Sequence, residues 1–252
     1  MSAIYPDLQN KVVLVTGGGS GIGEYIVREF ARQKARVAFL DIAPPPSRAL
    51  VQRLADEGMP VHFEPCDLTD IPALKSAIGA VRSRLGPIQI LINNAAHDER
   101  HPTESVTEEI WDTRIAVNLR HQFFCSQAVL PDMKAAGAGA IINLGSTSWM
   151  ISQGGMAAYT ASKSGVLGLT RSLARDYGPF GIRVNAVAPG WIMTQRQLAK
   201  WVTPEGEAIL LDRQCLKRKL QPVEIAKFIL FLASDEASAC TNQHYVVDGG
   251  WA

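Results

Sequence analysis

The feature that most constrains this chain is a rhythm. Short apolar runs rich in β-branched residues recur along it: KVVLVT (11–16), RVAFLD (36–41), VHFEPCD (61–67), IQILINN (88–94), AIINLGS (140–146), IRVNAVAPG (182–190) and HYVVDGG (244–250). Between them lie stretches with helical spacing, among them Ile22–Lys34, Ile71–Leu85, Glu108–Ala136, Ala157–Tyr177 and Pro222–Ala233. Strands that are apolar almost without interruption must be covered on both faces, so they run parallel with helices in the crossovers. Right-handed crossovers then wind the chain in both directions from its first strand.

The expectation is therefore an α/β fold: a single doubly wound parallel sheet, Rossmann-type, with helices on both faces. No linker, repeat or low-complexity segment interrupts 1–252, which reads as one domain. Pro44-Pro45-Pro46 reads as a local turn. One stretch departs from the rhythm. Between Trp191 and Gln221 no strand pattern appears, and unpatterned segments of such length in compact domains usually carry function. Residues 191–221 are expected to form a substrate lid inserted after the sixth strand, with a short helix starting near Thr203-Pro204-Glu205.

Composition excludes several classes. With 47% hydrophobic and 19% charged residues and a net charge of +1, the chain has the balance of a soluble protein with a sizeable core. It lacks the basic footprint of a nucleic-acid binder and any polybasic run for a membrane surface. The start, MSAIYPDLQNK, has no apolar stretch fit for secretion, and no segment approaches the ~20 apolar residues of a membrane span. Cys66, Cys125, Cys215 and Cys240 form no C-x-x-C pair. They read as reduced thiols of a cytoplasmic protein, with a catalytic cysteine as the lesser alternative.

The loop after the first strand is TGGGSGIG, Thr16 to Gly23. Glycines there permit left-handed turns and close backbone approach, and the helix that follows aims free N–H groups at a phosphate. Its position between the first strand and first helix of a βα repeat makes it a dinucleotide site rather than a flexible turn. The spacing is Gly17-x-x-x-Gly21-x-Gly23. The second strand ends in Asp41, whose carboxylate would accept from the adenosine ribose hydroxyls and repel a 2′-phosphate. No Arg or Lys stands in the loop or directly after Asp41, so NAD is expected over NADP. The competing reading is that Asp41 caps a helix near Ser47.

In YTASK, Tyr159 and Lys163 stand four apart and so share a helix face. Free tyrosine is a poor base near neutral pH, and a nearby ammonium favours the phenolate. Tyr159 could then take the proton of an alcohol while hydride leaves the same carbon. Alone, such a pair is often a solvated helix face. Here AIINLGS ends at Ser146, on the carboxyl edge of the sheet where ligands bind, and Ser146 could hold the reacting oxygen. The alternative for Ser146 is a hydroxyl satisfying strand-end backbone.

These residues together resemble the short-chain dehydrogenase/reductases over essentially the full length of the chain. The resemblance rests on TGGGSGIG, NNAA (93–96), Asn118 in IAVNL, Ser146, YTASK and PGWIMT (189–194). It implies catalytic roles for Asn118, Ser146, Tyr159 and Lys163. Asn118 would bend its helix and hold a water continuing a proton relay from Lys163, which also binds the nicotinamide ribose. Gly17, Ser20, Gly21, Ile22 and Gly23 would take the pyrophosphate side, and Asp67 and Leu68 the adenine. Asn94, Ala95, Pro189 and Gly190 would line the cofactor, with Ile192 and Thr194 at the nicotinamide and Asn93 structural. Ala96 stands where the family usually has Gly. Relatives are commonly homotetramers, with Glu108–Ala136 and Ala157–Tyr177 packing across an interface.

Further stretches resemble bacterial aldose 1-dehydrogenases acting on xylose, arabinose, galactose or fucose: IYPDLQNK (4–11), HDERH (97–101), NLRHQFFCSQAV (118–129), WVTPEGEA (201–208), QCLK (214–217) and CTNQHYVVDGGW (240–251). The implied reaction is NAD-dependent oxidation of the C1 hydroxyl of a cyclic aldose, pentose or hexose, to a lactone. A polyol needs several hydrogen-bond partners and an aromatic face. Expected substrate contacts are His97, Ser146, Ser148, Trp149, Gln153, Tyr159 and Trp191, with Trp149 favoured as the aromatic face and Asp98 and Arg100 as further candidates. Packing is the alternative for both tryptophans. No metal is expected: in HDERH the residue after the first His is Asp98, and Pro102 argues against a helix. Rival substrates are another polyol or alcohol, or a 3-oxoacyl thioester drawn by Arg213, Lys217, Arg218 and Lys219. A rival of another class is a catalytically silent NAD-binding regulatory protein.

Overall fold

The computed structural model describes residues 3–252. Seven strands, β1 (Val12–Thr16), β2 (Arg36–Asp41), β3 (His62–Pro65), β4 (Ile90–Asn93), β5 (Gly139–Leu144), β6 (Ile182–Pro189) and β7 (His244–Val247), form one sheet in the order β3-β2-β1-β4-β5-β6-β7. Every pairing is parallel, for example Val13 beside Val37 and Ile90, and Ile142 beside Asn185. The winding direction reverses between β1 and β4, and a crevice opens at such a point on the carboxyl edge.

Alternation along the buried strands builds two apolar layers. Val13, Val15, Val37 and Phe39 face one side with α1 (Gly21–Arg32) and α9 (Pro222–Ala233). Val12, Leu14, Ala38 and Leu40 face the other with α3 (Ile71–Leu85) and α5 (His121–Ala136). Helix ends follow local chemistry. Asp70 caps α3 by accepting from Ala73 N, and a capping box of Gln221 and Glu224 starts α9. Gly137, at φ 62°, ends α5 in the left-handed conformation. Arg183 of β6 donates to the carbonyls of Leu232 and Ala233 in the last turn of α9, where the helix dipole favours a cation, and to those of Ser234 and Cys240 beyond it.

Three details differ from the sequence reading. Pro44-Pro45-Pro46 is no isolated turn but the first turn of α2 (Pro44–Asp56), where a missing N–H breaks no helical bond. The stretch 108–136 divides into α4 (Glu108–Ile115), a π turn (Ala116–Arg120) and α5. The segment after β6 holds two helices, α7 (Gln195–Lys200) and α8 (Pro204–Arg213). Thr203 caps α8 where a short helix was expected to start, and a bridge between Ile192 and Leu220 closes the base of the segment. The remaining long helix is α6 (Ala157–Tyr177). Among the described residues no helix is long and apolar enough to cross a membrane.

Candidate active site

A cleft of about 860 Å³ lies at the carboxyl edge, over the point where the winding reverses. Its wall includes Gly17, Ser20, Gly21, Ile22 and Asp41 on one side, and Ser146, Tyr159 and Lys163 on the other. Asp67, Leu68, Asn94, Ala95, Pro189, Gly190, Ile192 and Thr194 also line it. Gly23 does not. It packs beneath the loop, where an added Cβ would run into the Gly17 carbonyl oxygen.

The glycine loop is pinned from below. Thr16 Oγ1 accepts from the backbone N–H groups of Asn94 and Ala95, and Asn94 Nδ2 donates to the Thr16 and Gly17 carbonyls. A Cβ at Gly17 would stand 2.8 Å from Ala95 Cα, too close for any real side chain. Above Gly21, by contrast, the nearest atom to an added Cβ is Thr194 Cγ2 at 3.6 Å. The backbone is therefore crowded beneath the loop and open above it, the shape a pyrophosphate needs. Asp41 does not cap α2 at Ser47. Its two carboxylate oxygens accept from Gly19 N and Ala43 N, both at 2.9 Å, while Ser47 Oγ donates to the Ala43 carbonyl. The carboxylate thus stands fixed beside the glycine loop, at one end of the cleft.

Ser146 lies two residues beyond β5, and its hydroxyl oxygen accepts from Ser148 N at 3.1 Å. Its proton remains free to be donated. The hydroxyl faces the Tyr159 phenol closely enough to pull the phenol's pKa down, but burial outweighs this and pushes it up to about 12. Asp98 adds to the rise. Tyr159 keeps some exposure toward the cleft even so. Lys163 is 2% exposed, and burial pushes its ammonium down to about 7, against the attraction of Asp98. The ammonium nitrogen sits 5.7 Å from the centre of the Tyr159 ring and donates to the Leu144 carbonyl at 2.8 Å. Among the protein's own groups desolvation governs both residues, so the expected lowering of Tyr159 by Lys163 is not what these groups produce.

Asn118 occupies the centre of the π turn and is fully buried. Its side chain accepts from His97 N at 2.9 Å and donates to the carbonyls of His97 and Arg114. It therefore fixes the segment 97–101, which is not helical. His97 is held below its ordinary pKa by burial, then by Arg114 and Arg196. The two histidines of the segment point to different partners, His97 toward Glu99 and His101 toward Arg114.

Of the expected substrate contacts, His97, Ser146, Ser148, Gln153, Tyr159 and Trp191 all line the cleft. Trp149 does not: its ring stacks on His244 at 6.1 Å. The sequence could not tell which way a side chain turns just past a strand end. Other contacts escaped the sequence reading. Gln197 of α7 accepts from the Trp191 indole N–H at 2.8 Å and donates to Asp98. Arg196 pairs with both Asp98 and Glu99, and Arg100 lies 4.5 Å over the Trp201 ring. These contacts hold α7 against the 97–101 segment. Cys66 also lines the cleft, but burial, then Asp67, pushes its thiol up to about 11, so it stays protonated.

A family profile described as Enoyl-(Acyl carrier protein) reductase matches residues 17–252. The chain is 50% identical over 250 residues to a D-xylose 1-dehydrogenase of Caulobacter vibrioides, covering 99% of both chains. It is 47% identical over 250 residues to a protein of Rhizobium meliloti named "Probable galactose dehydrogenase", covering 99% of this chain and 98% of that one. A solved short-chain type dehydrogenase/reductase from Mycobacterium ulcerans superposes with a TM-score of 0.91 at 28% identity, covering 96% of this chain and 90% of that one.

Proposed function

The chain belongs to the short-chain dehydrogenase/reductase family, and on that premise we propose that it oxidises the C1 hydroxyl of a cyclic aldose to a lactone with NAD as partner. The observation that carries the reading is the meeting of Ser146, Tyr159 and Lys163 in one cleft whose other wall is polar and carries an aromatic ring. An oxidised nicotinamide dinucleotide, when bound, would supply a hydride acceptor and a positive ring. Gly17, Ser20, Gly21 and Ile22 would hold its pyrophosphate, and Asp41 its adenosine ribose, which favours NAD over NADP. Ser146 donates to the reacting oxygen, and Tyr159 takes the hydroxyl proton as the phenolate, its own proton having left first under the pull of Lys163 and the positive ring. Lys163 supplies the neighbouring positive charge.

A sugar suits the opposite wall. His97, Asp98, Ser148 and Gln153 offer donors and acceptors, and Trp191 offers an apolar face. The indole is braced by Gln197 and by Gly206 of α8, where an added Cβ would stand 3.1 Å from the ring. We read 191–221 as the lid over this wall. The two relatives named as sugar dehydrogenases support the same substrate class. A 3-oxoacyl thioester fits less well. Arg218 pairs with Glu224, Lys219 with Glu207, and Lys217 donates to the Asp212 carbonyl, so three cations of that cluster are already engaged. A homotetramer is part of the proposal, and Trp111 and Phe123, exposed on α4 and α5, supply apolar surface for it.

The test is initial NADH formation with a panel of aldoses under NAD+ and then NADP+. Turnover of one or two sugars with NAD+ is expected. Silence on every sugar, with reduction of ketones in the reverse direction, would move the substrate to another alcohol.

A further inference from the structure

Behind the cleft, on the first turn of α5, Gln122 is buried with no exposed surface. Its side-chain amide donates to the Asn118 carbonyl at 3.1 Å and to the Leu144 carbonyl at 3.3 Å. These carbonyls belong to the two places where regular structure stops beside the site, the π turn and the end of β5. The Leu144 oxygen also accepts from Lys163. Both amide protons are thus spent on carbonyls, which fixes the amide's orientation. Turned over, its oxygen would face two acceptors. The Gln122 backbone is itself anchored, its carbonyl accepting from Asn93 Nδ2 at 3.2 Å and Ser126 Oγ at 2.7 Å.

We infer that Gln122 is a positioning residue for Lys163: its amide ties the Asn118 carbonyl to the Leu144 carbonyl and shares the latter with the lysine ammonium. This rests on the reading of Lys163 as part of the proton chemistry. Two donors on one oxygen compete for it, and the positive end of the amide dipole shares that oxygen with a cation. The charged form of Lys163 is less favoured than it would be with the carbonyl to itself. The titratable groups around Lys163 are Tyr159, His121, whose protonation Lys163 opposes, and Asp98, which favours the ammonium. Gln122 is the neutral member of this set, and it sets how much of the Leu144 carbonyl the ammonium receives.

Two full-length variants test this, Gln122→Met and the isosteric Gln122→Glu, which keeps the volume if the methionine variant fails to fold. The readout is the titration midpoint of Lys163, followed by NMR of lysine side-chain isotopic labels and assigned with Lys163→Met. In both variants the midpoint should rise, by ~0.5–1 unit for methionine and more for glutamate. The pH limb of kcat should move with it. Ser126→Ala, one helical turn along, controls for general loosening and should lower Tm without moving the midpoint. A lower Tm with the Lys163 midpoint unmoved in both Gln122 variants overturns the inference and leaves Gln122 as scaffold. The NMR midpoint needs no sugar. A shifted midpoint with no sugar turned over would therefore sink the substrate reading alone, and sugar turnover with a fixed midpoint would sink this inference alone.

Discussion

Lys163 donates to the carbonyl of Leu144 at 2.8 Å, and Leu144 is the last residue of the strand whose following turn carries Ser146. One hydrogen bond therefore sets helix α6, with Tyr159 on its first turn, against the strand end that presents the serine. The spacing of Lys163 and Tyr159 from the turn that carries Ser146 is a property of this strand–helix contact.

Tyr159→Phe keeps the ring and removes the atom proposed to receive the proton. General acid–base groups contribute about 10²–10⁴ in rate, so kcat should fall by that order while NADH affinity, read by fluorescence titration, stays within ~twofold. A variant retaining more than ~10% of turnover would remove Tyr159 from the proton chemistry.

Asp41→Ala takes away the fixed carboxylate at the adenosine end. The ratio of kcat/KM for NAD+ over NADP+ should fall ~10- to 100-fold, about 1.4–2.8 kcal/mol. An unchanged ratio would mean that the Gly19 and Ala43 contacts hold Asp41 for the loop alone.

The tryptophans separate cleanly. Trp191→Ala should raise KM for the best sugar ~tenfold, because it removes the braced aromatic wall and frees Gln197. Trp149→Ala should leave KM within ~twofold and lower Tm instead, because its ring packs on His244. The reverse pattern would place the sugar on the other side of Ser146.

His121 offers a test in acid. It is fully buried beside Thr16, and burial, then Lys163, lowers its pKa from 6.5 to about 3. Between those values the unfolded chain binds a proton that the native state refuses, so stability is lost as pH falls through that window. Above 6.5 both states are neutral at this residue and the contribution is flat. His121→Asn should show a shallower fall of Tm from pH 6.5 toward 4 than the parent, whatever its Tm at neutral pH. Parallel slopes would place the acid sensitivity elsewhere.

How far the sequence was legible depended on whether the deciding contact was local. α3, α6 and α9 begin and end where their periodicity put them, and Asp70, Gly86 and the Gln221–Glu224 box fix the ends of α3 and α9 within a turn. The glycine loop and the Tyr159–Lys163 pair were visible for the same reason. The three prolines of α2 misled, since a proline that breaks a helix interior is harmless in its first turn. The Gln197–Asp98 contact joins residues 99 apart, and the facing of Trp149 depends on His244 in the last strand. Neither carries a signal in one dimension. The rise of Tyr159 was hidden likewise, because burial is a sum over many distant neighbours.

The π turn at Ala116–Arg120 has one more consequence, for helical phase. A π turn carries one residue more than the regular spiral, and each residue advances the azimuth by roughly 100°. Everything downstream is turned by that amount relative to a straight continuation of α4. This lets one stretch of chain lay α4 against α6 while α5 lies against α3. Deleting any one residue between 116 and 120 would restore a smoother helix and improve its local hydrogen bonding. It would also swing Gln122 away from the Leu144 carbonyl. The enzyme would gain a better helix and lose the alignment on which its chemistry turns.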